Sequence, residues 1–331
     1  MASLVGKHKD RMNPWKRVRT FQIAFTIVVT LLILTPLFLR SYHKRLLTEI
    51  LIWGLFAMAF DIIYGYTGML SFGQALFFGV GAYGVAISIL RWNVNLWVAI
   101  GFAVVCSIAF AWAVGYFAVK VSGAYFVIIS IIFSLIFFFI ALDWRWLTGG
   151  DNGLTFTAPS LSLGPMELSL VDSSVNYYLV LSIVVISYLV SRRIVNSPLG
   201  RVFQVIRENE ERARFIGYNV ERFKLISYTI SGAFSGLSGA LYSLTHRYAN
   251  VDFLYWPVSG DAVIWTLIGG SGTLIGPFLG TGLLVIFEDY ISSWFKDYPI
   301  LVGILVIAVV IGAPQGIMGL FKEKMARKGV D

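Results

Sequence analysis

The chain has 331 residues and a formal net charge of +8, and 57% of its residues are hydrophobic while only 13% are charged. A soluble globular domain averages about 45–50% apolar and about 25% charged residues, and a mean hydropathy of +0.77 does not suit a surface that faces water. These figures exclude a soluble enzyme, a disordered protein and a disulfide scaffold, and they indicate a polytopic membrane protein.

The predicted elements are long apolar helices. A helix needs about 20 apolar residues to cross a bilayer, and the first candidate, residues 21–39, follows a basic segment at residues 1–20. Its apolar run is too long for a signal peptide, so we expect a retained span. Further spans are predicted at residues 46–64, 72–90, 96–118, 124–142, 176–191, 225–246, 258–270, 273–288 and 299–313.

These runs predict an all-α, polytopic transmembrane bundle of about ten spans, some of them short or broken, with both termini in the cytoplasm. The positive-inside rule places residues 192–224, with eight basic and four acidic residues, and the tail at residues 314–331 inside. It places the loop at residues 143–175 outside. Arg40, Lys44 and Arg45 disagree with this topology, because they would be external.

The first abnormal stretch, residues 65–84, contains six glycines in 20 residues. Some of these glycines serve close helix packing, and Gly73, Gly81 and Gly84 lie near helical spacing. Because hydroxyl and amide side chains accompany them, a broken helix that lines a substrate path is the favoured interpretation. The predicted path residues of this half are Asp61, Gly65, Thr67, Gly68, Ser71, Gly73 and Gln74.

The second abnormal stretch, residues 269–282, separates two short apolar runs. Its glycines and Pro277 predict a hairpin or re-entrant turn followed by a helix. Interrupted segments in both halves of a chain are typical of a transporter's binding region. The predicted path residues of this half are Gly269, Gly270, Ser271 and Gly272.

In the external loop, Thr148, Gly149, Gly150, Asp151 and Asn152 have the composition of a tight turn. They are interpreted either as a loop fold alone or as a rim that contacts a delivered ligand or the protein that delivers it.

Residues 196–218 predict one or two short amphipathic helices outside the bilayer. Ser197 is a suitable N-cap, Pro198 suits the first helical position, Ile216 continues an apolar face, and Gly217 predicts a stop. The segment is interpreted as a solvated connector, as a helix on anionic lipid, or as a helix that docks into a groove on a soluble partner. Docking is favoured because Glu208, Glu210 and Glu211 interleave with the basic residues.

The sequence predicts no covalent chemistry and no metal site. Cys106 is the only cysteine and is expected to pack in an apolar run, and His8, His43 and His246 are too scattered to ligate a metal together. The distribution of positive charge is that of a membrane protein and argues against nucleic acid as a partner.

Together, and in this order, the motifs at 65–84, 148–153, 197–217 and 269–282 resemble the permease subunits of bacterial ABC importers for branched-chain amino acids. The resemblance covers roughly residues 45–320 and implies a permease domain at residues 21–313 in the bacterial inner membrane. It further implies a second related permease, two ATP-binding subunits, a periplasmic binding protein and surrounding lipid as partners. The coupling residues that it implies are Ser197, Gly200, Arg201, Arg207, Glu208, Asn209 and Gly217.

The chain contains no Gly-x-x-x-x-Gly-Lys-Ser/Thr loop, so we expect it to bind no cofactor, with ATP and Mg²⁺ used by the partner subunits. A permease for urea or short amides is a second interpretation within the same family, since Gln74 stands where relatives can carry His. The sequence is also compatible with an ion-coupled secondary transporter or with a passive channel.

Overall fold

The computed structural model describes residues 14–157, 159–163, 166–295, 297–312 and 316–319. The predictions for residues 1–13, His8 among them, and for the tail from residue 320 onward lie outside the described residues. The chain forms two compact units that divide between Lys44 and Arg45. The first contains helix α1 (Pro14–Phe38) and the first residues of α2.

The second unit is built from helices joined by short connections. They are α2 (Ser41–Asp61), a π-helical turn (Ile62–Tyr66), α3 (Gln74–Trp92), α4 (Leu96–Ala118), α5 (Ala124–Asp143), α6 (Arg145–Thr148), α7 (Ser173–Val195), α8 (Pro198–Glu208), α9 (Glu210–Phe215), α10 (Val220–His246), α11 (Pro257–Gly269), α12 (Gly276–Ser292) and α13 (Tyr298–Gly312). Short 3₁₀ turns lie at Gly150–Asn152 and Val251–Leu254.

The helical, polytopic prediction agrees with these elements. Within the described residues, five helical segments are long and apolar enough to cross a membrane: Ser41–Tyr66, Gln74–Trp92, Leu96–Ala118, Ala124–Asp143 and Ser173–Val195. Shorter apolar stretches lie at Thr26–Phe38 and Pro299–Val309. The count of about ten spans and the cytoplasmic position of the termini stay predictions.

Small residues bring the central helices α3, α4 and α10 into close contact. A Cβ atom added at Gly81 of α3 would lie 1.9 Å from the carbonyl oxygen of Gly236 on α10, and one at Gly84 would lie 2.9 Å from Cα of Ala103 on α4. Without a hydrophobic driving force between helices in lipid, such close backbone approach supplies much of their attraction. The packing interpretation therefore accounts for these two glycines.

Within the described part of the chain there are also four short strands, which the sequence did not indicate. β1 (Leu154–Thr155) pairs antiparallel with β4 (Tyr248–Ala249), and β2 (Ser160–Leu163) pairs antiparallel with β3 (Met166–Ser169). Strands of two to four residues are too short to show a recognisable alternation of polar and apolar residues.

Two connecting segments lie at opposite ends of α7. The long connector (residues 144–172) precedes this helix, and the basic connector (residues 196–219) follows it. With 23 residues, α7 is about 35 Å long, slightly more than the hydrocarbon thickness of about 30 Å. The two connectors are therefore separated by about the thickness of a bilayer.

We expect Gly81→Ala to lower the free energy of unfolding by about 2 kcal/mol, because the added methyl group forces α3 and α10 apart. Gly101→Ala in α4 is the matched control, since its Cβ would meet no atom within 4 Å. Denaturant unfolding of the purified full chain measures both. Equal stability of the two variants would show that the approach of α3 to α10 contributes nothing.

Candidate functional site

The first glycine-rich segment interrupts the helical path. α2 ends at Asp61, the π-helical turn follows, and α3 does not begin until Gln74. Gly68 has φ +80°, a conformation that residues with a side chain rarely adopt. A turn forms there, in which the Gly68 N–H donates a hydrogen bond of 3.1 Å to the carbonyl oxygen of Tyr64. We call residues 65–73 the broken segment.

The second glycine-rich segment forms a tight hairpin between α11 and α12. Gly270 and Gly272 have φ values of +109° and +74°. A Cβ atom at Gly269 would lie 1.8 Å from the carbonyl oxygen of Gly276, so the two helix ends almost touch. The half-exposed Ser271 lies on this turn. Two short helices joined by a turn correspond to the predicted hairpin.

Asp61 joins the two glycine-rich segments. Its side chain is fully buried, and its carboxylate accepts hydrogen bonds from the backbone N–H groups of Gly272 at 2.7 Å and Leu274 at 3.2 Å. A Cβ atom at Gly65 would lie 2.0 Å from Asp61 Oδ1 and 2.4 Å from the nitrogen of Gly272. Only glycine at position 65 leaves room for this junction.

Arg207, at the end of α8, reaches the same junction. Its Nη1 donates a hydrogen bond to the carbonyl oxygen of Gly65. Cβ atoms added at Gly68 and Gly272 would each lie 3.1 Å from the Arg207 side chain. A residue predicted for coupling thus touches both segments predicted for the transport path, although it is more than 60 residues from either along the chain.

The hydroxyl and amide side chains of the broken segment point into the helical bundle. Thr67 Oγ1 lies 2.6 Å from Ser227 Oγ, and Gln74 Oε1 accepts hydrogen bonds from Ser231 at 3.1 Å and Ser235 at 2.9 Å. Gln74 is fully buried, and its Nε2 has no hydrogen-bond partner among the residues that the structure describes. Such an atom is costly to bury and is free to bind a ligand or an ordered water.

Sequence reasoning missed the serines of α10 as partners of the broken segment. Their spacing was the available signal, because Ser227, Ser231 and Ser235 recur every four residues and therefore share one helix face. This face lies along α2 as well, since Ser231 also donates to the carbonyl oxygen of Ala59 at 2.6 Å.

Ser71 and Gly73 complete the turn that leads into α3. The Gly73 N–H donates to Ser71 Oγ at 3.2 Å. A Cβ atom at Gly73 would lie 2.9 Å from the carbonyl oxygen of Ser130 on α5. Both residues are buried and hold the broken segment against its neighbours.

The basic connector folds as the predicted pair of short helices. Ser197 caps α8 by accepting from the Gly200 N–H at 3.5 Å, and Asn209 caps α9 by accepting from the Arg212 N–H at 2.8 Å. Gly217 has φ +98° and donates its N–H to the carbonyl oxygen of Arg214 at 3.0 Å, which ends α9.

The other predicted coupling residues differ in exposure. A Cβ atom at Gly200 would lie 2.0 Å from the carbonyl oxygen of Val195, so α8 turns sharply against the end of α7. Arg201 and Glu208 are exposed and do not reach the Asp61 junction. Among the seven predicted coupling residues, Arg207 is the one that the structure brings to that junction.

The tip of α9 exposes apolar side chains. Phe215 is 90% exposed and Ile216 is 65% exposed. Ile216, which recurs at a helix-like interval in the sequence, follows the last residue of α9, Phe215, and faces outward. The buried face consists of Ile206, Ala213 and Val220.

An ion-pair cluster fixes α9 to the start of α10. Glu210 lies 2.6 Å from Lys224 Nζ and 3.0 Å from Arg214 Nη2, and the Lys224 side chain is only 5% exposed. Burial raises the pKa of the Glu210 carboxyl, but hydrogen bonds and charge from Lys224 and Arg214 outweigh burial and hold this pKa below its ordinary value.

A cavity of about 550 Å³ is lined by both the basic connector and the broken segment. Residues 67–70, 121–127 and 206–210 contribute to its walls. Its volume is within the range of small-molecule sites, about 300–1,000 Å³. The cavity lies at the end of the unit where Arg207 meets Gly65.

The predicted rim lies at the other end, in the long connector. Thr148 Oγ1 donates to the carbonyl oxygen of Ala141 at 2.5 Å and accepts from the Gly150 N–H at 3.1 Å. Gly149 has φ +77°, which a tight turn requires. Asp151 and Asn152 are exposed at the tip of this turn. The loop-fold interpretation explains the turn, and a contact role stays a prediction for the two exposed residues.

Long apolar helices, a helical path broken at glycines and buried polar side chains inside the bundle indicate a multi-pass membrane protein. Residues 42–314, most of the chain, match the family model described as branched-chain amino acid transport system / permease component. The chain belongs to this family of ABC transporter permeases, and it is a transport subunit rather than an enzyme.

Individual relatives are distant but cover most of the chain. The high-affinity branched-chain amino acid transport system permease protein LivM of Escherichia coli is 25% identical over 91% of this chain and 76% of its own length. LivM of Salmonella typhimurium is 25% identical over 85% of this chain and 71% of its own length. LivH of Escherichia coli is 24% identical over 81% of this chain and 91% of its own length. No solved structure matches the chain.

We expect Asp61→Asn to lower the free energy of unfolding by about 1–3 kcal/mol, because the amide keeps one acceptor oxygen and turns an N–H group toward backbone donors. Asp143→Asn, at the exposed end of α5, is the control and should change little. Thermal unfolding of the purified chain measures both. A melting temperature unchanged by Asp61→Asn would contradict a structural role of this carboxylate.

A carboxyl with a lowered pKa stabilises the folded state above its unfolded pKa, and that contribution disappears as the pH falls through the folded pKa. We therefore expect Glu210→Gln to lower the melting temperature by about 2–4 °C at neutral pH and by less near pH ~3. Glu221→Gln, an exposed glutamate at the start of α10, is the control. A pH-independent difference would argue against the ion pairs.

Proposed function

We propose that this chain is the permease subunit of an ATP-driven importer and forms part of the transmembrane path for branched-chain or related amino acids. The contact of Arg207 with Gly65 is the observation that carries the proposal. It joins a helix outside the spans to the broken segment within them, so a force on α8 acts directly on the predicted path. The family description supplies the substrate class.

Separate ATP-binding subunits would supply that force at the basic connector. Phe215 and Ile216 are exposed at its tip, where apolar side chains that water would otherwise surround favour a hydrophobic groove. Neighbouring charges at Arg212 and Glu211 would orient a protein partner. A purely lipid-binding face would gain little from the acidic residues.

The chain would pair with a second, related permease in the bacterial inner membrane and receive ligand from a periplasmic binding protein. Its likeness to both LivM and LivH of one organism supports a partner from the same family. In this orientation the basic connector and both termini are cytoplasmic, the long connector is periplasmic, and about ten spans cross the bilayer.

Transport would proceed by alternating access. Closure of the ATP-binding subunits moves α8, and Arg207 passes this motion to the broken segment and, through Asp61, to the hairpin between α11 and α12. Because the junction is rigidly hydrogen-bonded, both segments move together rather than separately. The cavity beside residues 67–70 would then be the cytoplasmic side of the path.

We expect Arg207→Gln to reduce ATP-driven uptake of labelled leucine at least about tenfold, which corresponds to a coupling loss of about 1.4 kcal/mol. Hydrolysis of ATP by the assembled importer should continue, because the variant changes the contact between α8 and the broken segment and leaves the ATP site unchanged. Uptake and phosphate release in the same proteoliposomes measure the two quantities.

Arg222→Gln is the matched control, since it removes an exposed positive charge near the same connector but no contact with the broken segment. Full uptake by Arg207→Gln would contradict the coupling role. Uptake that persists in vesicles stripped of ATP would contradict the ATP-driven importer and support an ion-coupled carrier.

A further inference from the structure

A second cavity, of about 370 Å³, lies at the end of the bundle opposite the Asp61 junction. Its wall includes the first turns of α2, the start of α7 and the end of α10. The ionisable residues in the wall are Arg45, Glu49, His246 and Arg247. We call this space the polar cavity.

The two ends of α10 show how far the polar cavity lies from the basic connector. Lys224, which belongs to the cluster beside the basic connector, and His246, in the polar cavity, are separated by 22 residues of one helix, or about 33 Å. This distance is about the thickness of a bilayer. In the orientation proposed above, the polar cavity therefore opens toward the periplasm, where ligand arrives.

The polar cavity carries charges of both signs. Arg45 and Glu49 are four residues apart and share one face of α2, and Arg247 adds a second guanidinium from the end of α10. His246 Nε2 lies 3.4 Å from Glu49 Oε1 and orients that carboxylate. An anion alone would meet the carboxylate, and a cation alone would meet two guanidinium groups.

Neutral polar groups and an apolar wall complete the polar cavity. Asn176 Nδ2 lies 3.2 Å from Thr245 Oγ1, and both residues contribute to the wall. Leu170 and Val171 close another side, and Val171 is 58% exposed. An aliphatic group placed against Val171 would remove this apolar surface from water.

The backbone at Arg247 is an independent indication that this side chain serves a purpose. Arg247 ends α10 with φ +58°, the left-handed conformation that glycine or asparagine usually adopts at a helix end. A strained conformation of a residue with a long side chain points to a functional site. Arg45 is equally unexpected, because the positive-inside rule disfavours arginine at an external span end.

We propose that the polar cavity is an entry site that binds the zwitterionic head of an aliphatic α-amino acid before it enters the path. The carboxylate would lie between Arg45 and Arg247, the ammonium group against Glu49, and the side chain against Leu170 and Val171. The proposal rests on the proposed function for the direction of transport and the substrate class. To that function it adds a binding site at the polar cavity and the recognition of both charges of the amino acid.

Binding of tritiated L-leucine to the full chain in lipid nanodiscs tests the proposal. We expect saturable binding that unlabelled isoleucine competes for. Leucinamide, which lacks the carboxylate, and isocaproate, which lacks the ammonium group, should not compete at the same concentrations. Competition by either analogue as strong as that of isoleucine would overturn recognition of both charges.

Arg247→Gln and Glu49→Gln should each weaken leucine binding at least about tenfold, because the first leaves the carboxylate with Arg45 alone and the second leaves the ammonium group without its partner. Arg247→Lys keeps the charge and should restore part of the affinity, which separates charge recognition from a folding defect. Arg145→Gln, an exposed arginine of the long connector outside the polar cavity, is the matched control.

Unchanged leucine affinity in both variants, or no binding by the wild-type chain, would overturn the entry site. The proposed function is measured separately, by ATP-driven leucine uptake in proteoliposomes that contain the assembled importer. Wild-type uptake together with a negative binding result rejects the entry site alone. Absence of wild-type uptake rejects the proposed function.

Discussion

One buried junction holds together three distant parts of this permease. The Asp61 carboxylate accepts backbone hydrogen bonds from the hairpin at Gly272 and Leu274, and the Arg207 guanidinium donates to the backbone of Gly65. Arg207 is exposed, whereas the Asp61 carboxyl is fully buried and would be costly to bury without these hydrogen bonds. The glycines at this point therefore matter less for flexibility than for letting charged side chains reach backbone atoms.

This junction brings the basic connector into contact with both glycine-rich segments. Because Arg207 is in direct contact with the broken segment, a displacement of α8 would displace that segment directly. At the other end of the same helices, the polar cavity contains side chains of both charges, Arg45 and Arg247 with Glu49. The polar cavity and the ion-pair cluster beside the basic connector thus lie about one bilayer thickness apart along α10.

The glycines show how one residue type serves different purposes in a membrane bundle. Gly81 and Gly84 allow α3 to approach α10 and α4 closely, as packing alone would require. Gly65 instead leaves space for a carboxylate, and Gly68 provides a turn with positive φ. All four glycines occur in one stretch of 20 residues. Their spacing along the sequence therefore separates the packing glycines from the other two only in part.

The sequence alone determined the class of protein, most of the long helices near their observed bounds, both glycine-rich breaks and the short helices of the basic connector. Those features depend on local composition and on neighbours a few residues away. Tertiary structure decided that Asp61 binds the second break, that Arg207 reaches the first, and that α10 serines surround Gln74. It also decided that Arg45, Glu49 and Arg247 share one cavity. These contacts join residues far apart in the chain, and only the packing of whole helices brings them together.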